Sequence, residues 1–89
     1  MALFAVSYDL HNNRQYEPLW NALKSAGGVR LLESLWLLKS THSAALLRNR
    51  LKLLVDTDDA VAVVEVTPTA DWATTANVYT GGTNVLQTR

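Results

Sequence analysis

Three stretches of this chain are apolar on both sides of an extended backbone, and a sheet built from them needs a cover on each face. They are Leu3-Phe4-Ala5-Val6-Ser7-Tyr8, the segment from Val29 to Lys39, and Ala60-Val61-Ala62-Val63-Val64-Glu65-Val66. Side chains of a strand alternate between two faces, so a sheet with one solvated face shows apolar and polar residues in turn. Here Leu31, Leu35 and Leu37 fall on one side of the second stretch, and Leu32, Ser34, Trp36 and Leu38 on the other. Glu33-Ser34 interrupts that stretch, which predicts a bulge, a kink or a tight hairpin, and hence one bent strand or two short ones. The third stretch is bounded by Asp59 and Thr67-Pro68 and reads as a central, buried strand.

Two helices lie between these runs. Tyr16, Leu19, Trp20 and Leu23 fall at i, i+3, i+4 and i+7, a single apolar stripe. Asn13 is placed to cap it. Pro18 fits only the first turn, where its missing N–H has no intrahelical partner, so the helix is expected to begin near Gln15 and stop at Gly27-Gly28. Trp20, on this stripe, is a core residue. The second helix starts at a Ser43 cap and buries Ala44, Leu47, Leu51 and Leu54, with Arg48 and Lys52 outward. Asp56 to Asp59 makes the turn that follows.

Strand, helix, one or two strands, helix, strand: this order predicts an α+β fold, a ferredoxin-like βαββαβ sandwich whose antiparallel sheet carries two helices on one face. Residues 1–72 form that domain. Residues 73–89, rich in Thr, Asn and Gly around Gly81-Gly82, form a C-terminal extension expected as an edge hairpin, a swapped strand or a disordered tail. Two helices cover one sheet face only, so the other is expected to pack on the sheet of a second copy, giving a homodimer.

Composition narrows the function. Eighty-nine residues make one domain, and a domain of that size buries only roughly 60% of its unfolded surface, which favours stabilisation by a partner subunit. The absence of cysteine excludes disulfides and thiolate metal sites and fits a reducing compartment such as the cytoplasm. No apolar run approaches the ~20 residues of a membrane span, and the N-terminal run meets Asp9 too soon for a signal peptide. Net charge is zero, yet its sign is uneven. Arg14, Lys24, Arg30, Lys39, Arg48, Arg50 and Lys52 precede Asp56, whereas Asp56, Asp58, Asp59, Glu65 and Asp71 are answered only by Arg89. A basic half offers Arg14, Lys39, Arg48 and Lys52 for nucleic acid, though charge also gathers on solvated helix faces.

Asp9 is the foremost candidate site. It ends an apolar strand where the chain turns through Leu10-His11-Asn12-Asn13, and in open α/β sheets ligands collect at the carboxyl ends of strands. It reads equally as a turn former, since Asp and Asn bond nearby backbone. His11 and His42 have no partner at metal-ligand spacing, Ser7 lacks a nucleophile elbow, and neither Gly-Gly pair precedes the Lys-Ser/Thr of a phosphate loop.

The strand ending in Tyr8-Asp9, the Gly-ended helix, and the strand with Ser34-Leu35-Trp36 before a Ser-capped helix together resemble the CRISPR-associated Cas-two family and its SinR-like relatives. The resemblance covers about residues 2–67. It implies an antiviral-defence protein, a ferredoxin-like homodimer in which Asp9, near the two-fold axis, shares a divalent metal such as Mg²⁺ with its copy and acts as an endonuclease on RNA or DNA. Tyr8 and Ser34 then lie beside the site, and Trp36 takes an aromatic position usually held by Phe. A hard cation that keeps several waters needs only one or two carboxylates, so one Asp per chain suffices when symmetry supplies the second. The loop His11-Asn12-Asn13-Arg14 departs from the family's basic cluster. A non-catalytic scaffold for nucleic acid or the CRISPR integrase, and an antitoxin-like regulator whose C-terminal segment docks a protein partner, are the alternative expectations.

Overall fold

The computed structural model describes residues 1–11 and 17–89. The elements run β1 (Ala2–Asp9), α1 (Glu17–Ser25), β2 (Val29–Leu32), β3 (Leu35–Ser40), α2 (Ala44–Leu51) with a 3-10 turn at Lys52–Leu54, β4 (Ala60–Val66) and α3 (Thr80–Thr88). The four strands form an antiparallel sheet in the order β2-β3-β1-β4, so the α+β class expected of the sequence is the class observed.

Local chemistry explains several boundaries. α1 closes on Gly27 at φ +86°, a left-handed conformation that a side chain disfavours. Gly28 N–H donates to the Leu23 carbonyl at 2.8 Å and Gly27 N–H to that of Lys24 at 3.0 Å, the paired bonds of a Schellman ending. Asn13 and Tyr16, expected as cap and first stripe residue of this helix, lie outside the described residues. The Ser43 hydroxyl accepts the Leu46 N–H at 3.1 Å and caps α2 as expected. Glu33-Ser34 is a two-residue turn, and the long second stretch is a hairpin of two short strands.

Each sheet face has its own cover. Phe4, Val6, Tyr8, Trp36 and Leu38 meet Leu19 and Leu23 of α1 and Leu47 and Leu51 of α2. On the opposite face Leu3, Leu31 and Leu37 pack with Leu86 of α3, and Trp72, Val78 and Val85 of the C-terminal segment add to them. So the second face takes a cover from its own chain. The extension forms neither a hairpin, a swapped strand nor a tail. Its Gly81-Gly82 pair is an approach surface: a Cβ on Gly82 would stand 2.8 Å from the Leu31 Cα, and one on Gly81 2.8 Å from Val29 Cγ1. Tyr79 N–H donates to the Leu31 carbonyl at 3.1 Å, fixing the segment along the outer edge of β2. Arg89 donates to the carbonyls of Thr67 and Ala70 and holds the far end of the segment against the loop after β4.

Two further expectations are corrected. β4 is an edge strand paired only with β1, and Val64 is 61% exposed. A continuous β-branched run fits a central strand and an uncovered edge strand alike, so composition does not separate them. Leu54 is 39% exposed, because the chain tightens into a 3-10 turn at Lys52 and carries it off the stripe of α2.

α3 packs chiefly on β2 and β3, with Leu86 also meeting Leu3 at the start of β1, so the part of this face formed by the end of β1 and by Ala60 to Val64 of β4 stays open. In register, Ala5 stands opposite Val64, Ser7 opposite Ala62 and Asp9 opposite Ala60; of these, Ser7, Asp9, Ala60, Ala62 and Val64 are exposed.

Candidate functional site

Strand alternation sets up the site. Phe4, Val6 and Tyr8 turn inward beneath α1 and α2, which leaves Leu3, Ala5, Ser7 and Asp9 on the opposite face. Tyr8 is buried and its neighbour Asp9 is exposed for that reason alone. The Tyr8 hydroxyl donates to the Glu33 carbonyl at 2.8 Å and accepts indole N–H bonds from Trp20 at 2.6 Å and Trp36 at 3.3 Å. Its donor and both its acceptor positions are thus engaged. Tyr8 N–H also donates to the Ser34 carbonyl at 3.2 Å, so the β2-β3 turn is tied to the end of β1.

A cleft of about 300 Å³ opens there, lined by Tyr8, Asp9, Leu10, Trp20, Glu33 and Ser34. Three of the four residues singled out for this site, Tyr8, Asp9 and Ser34, share that cleft. Trp36 does not reach its surface; it is buried below, bonded to the Tyr8 hydroxyl.

Sequence reasoning missed Arg30, Glu33 and Tyr79, and took Trp20 for core alone. The Arg30 guanidinium lies over the rings of Trp20 at 4.5 Å, Trp36 at 4.8 Å and Tyr79 at 5.6 Å. Ring faces carry negative charge, so this setting stabilises the cation. Its Nε is buried without a hydrogen-bond partner. The Tyr79 hydroxyl donates to Glu33 Oε1 at 2.9 Å, which brings the C-terminal segment to the rim of the cleft. One cue was present: Arg30 stands alone among apolar residues in an extended run, and its register partner is Trp36.

The proposed basic residues do not form one surface. Lys39 is exposed on the face of Leu3, whereas Arg48 of α2 and Lys52 of the following 3-10 turn lie across the sheet and line a cleft with Asp56 and Asp59. The Arg48 guanidinium donates to Asn49 Oδ1 at 3.2 and 3.0 Å. Arg14 lies outside the described residues.

Acidic groups gather at the Asp9 end of the sheet. Asp56, Asp58 and Asp59 offer carboxylate oxygens within 4.8 Å of one another. Asp59 accepts the His11 N–H at 2.9 Å and the Asp56 N–H at 2.9 Å, so this cluster closes the turn between α2 and β4. The next residue, Ala60, pairs with Asp9. Among the described residues no helix is long and apolar enough to cross a membrane. No known family model matches the chain, and no solved structure matches it significantly.

Proposed function

We propose that this chain is a ferredoxin-like βαββαβ protein extended by α3, and that it works as a cytoplasmic homodimer binding nucleic acid at the Asp9 end of its sheet, with divalent-metal-dependent phosphodiester cleavage of RNA or DNA as its activity. Support for the fold reading comes from the element order and from β1 lying between β3 and β4 in the sheet. Support for the dimer comes from the bare strip of Ala60, Ala62 and Val64, an apolar edge with unpaired backbone groups that soluble proteins rarely leave open.

One observation carries the function: Asp9 is exposed at the end of β1, on the uncovered half of the sheet face, in a cleft that also holds Glu33 and Ser34. Carboxylate and hydroxyl oxygens are the hard donors that Mg²⁺ prefers, and Asp9 with the partner's Asp9 would hold it. When bound, such an ion acidifies a water and steadies phosphate charge. This chain's own groups do the rest. Tyr8 fixes the β2-β3 turn that carries Glu33 and Ser34. Trp20 lines the cleft and carries Arg30 over its ring, which sets positive charge beside it for a phosphate oxygen. Asp56, Asp58 and Asp59 at the same end repel a bare polyanion, so binding there depends on a cation. This is the character of the CRISPR-associated Cas-two and SinR-like proteins that the sequence resembles.

The test is a titration of the purified protein with Mg²⁺ and Mn²⁺ against labelled RNA and DNA, beside Asp9→Asn. Metal-dependent cleavage that Asp9→Asn abolishes, with the fold intact, is the expected result. Cleavage unchanged in Asp9→Asn overturns the role of Asp9. A second reading, a non-catalytic scaffold for nucleic acid or an integrase, is weakened by the separation of Lys39 from Arg48 and Lys52; metal-dependent binding without cleavage is its signature. An antitoxin-like regulator docking a protein through its C-terminal segment has less support, since Leu86 and Val85 pack on the chain's own sheet.

A further inference from the structure

We propose that the groove between α1 and α2 binds a small anionic amphiphile, an aliphatic body with a carboxylate head. The groove encloses about 360 Å³, within the size range of small-molecule sites. Leu38 of β3 lines it together with Leu23 and Ala26 of α1 and Leu47 and Leu51 of α2, while the exposed Leu54 and Met1 prolong the apolar surface beyond them.

Arg50 is the cation that borders the groove, beside His42, and among the described residues no Asp or Glu lines it. Arg50 is exposed on α2 between the buried Leu47 and Leu51, at the rim of the groove. Its partner there is the His42 ring, with Nη1 and Nε2 3.5 Å apart, and no carboxylate pairs with it among the described residues. A guanidinium that borders an apolar cavity beside an imidazole gains most from a planar anion, which accepts two parallel N–H bonds. A methylene chain then fills the leucine-lined space, each buried CH₂ contributing favourably by leaving water. A neutral or cationic amphiphile of the same length would have the apolar contacts without the head-group bonds.

Isothermal calorimetry with decanoate below its micellar range, set against decanol and decyltrimethylammonium, tests this directly. Saturable decanoate binding is expected, with the cation bound far more weakly. Arg50→Gln, at an exposed position that the fold tolerates, is expected to weaken decanoate about tenfold and leave decanol unchanged. Ala26→Trp, which fills the groove, is expected to abolish both. Absence of saturable decanoate binding overturns the proposal, as does equal affinity for decanoate and decyltrimethylammonium, or an Arg50→Gln protein that binds decanoate like the native chain. Should Ala26→Trp not fold, the Arg50→Gln comparison decides.

Discussion

The two faces of this sheet are equally apolar in sequence and are covered in different ways. On one face, α1 and α2 bring bulky stripes, and Leu19, Leu23, Leu47 and Leu51 interlock with Phe4, Val6 and Leu38. On the other, the first turn of α3 comes close because Gly81 and Gly82 rest on Val29 and Leu31, Leu86 then packs on Leu3, Leu31 and Leu37, and Ser7 of β1 with Ala60, Ala62 and Val64 of β4 stay exposed. Bulky stripes hold the first face; a close glycine approach followed by Leu86 holds the second. The bare half of the second face is also where Asp9 stands, so incomplete cover and the candidate site coincide.

Mutations that respect this difference act unequally. Leu23→Ala empties a site only 1% exposed and should cost about 3 kcal/mol, read as a shift in urea midpoint. Tyr8→Phe removes the hydroxyl that serves the Glu33 carbonyl and the indoles of Trp20 and Trp36, and should cost about 2 kcal/mol through the buried groups left unpaired. Gly82→Ala reverses the usual rule: a helix interior gains about 1 kcal/mol from Ala over Gly, but crowding against the Leu31 backbone outweighs this, so destabilisation by about 1–2 kcal/mol is expected. Gly81→Ala meets only a Val29 methyl, which can turn aside, and should be close to neutral. Equal effects at the two glycines would show that α3 does not sit closer at Gly82. Val64→Lys should leave monomer stability within about 0.5 kcal/mol and convert the proposed dimer to monomer in sedimentation. An unchanged mass would remove the bare strip from the subunit interface.

Much of the first face was legible in the sequence because its signals are local. Helical spacing marked Leu19, Leu23, Leu47 and Leu51; Gly27 and Ser43 marked boundaries through backbone bonds made within a few residues. α3 was not legible. Two glycines and a run of Thr and Asn disfavour a helix in isolation, and only packing on β2 outweighs their propensity. The edge position of β4 depends on strand order, which no residue of β4 states. At the site, Asp9 was readable from its place at a strand end, and Tyr8 and Ser34 only through the family resemblance, whereas Arg30, Glu33 and Tyr79 meet across β2 and the distant C-terminal segment. Cross-strand and long-range juxtapositions leave no periodic trace in the chain.

The Tyr8 hydroxyl, where two indoles meet, has an optical consequence. Trp20 and Trp36 report on the first face and share one hydrogen-bonded environment with a cation over their rings, while Trp72 lies with the second cluster. Intrinsic emission therefore carries two separable signals from one unlabelled molecule. Detachment of α3 would change the Trp72 component first, and ligands entering the Asp9 cleft would register through Trp20.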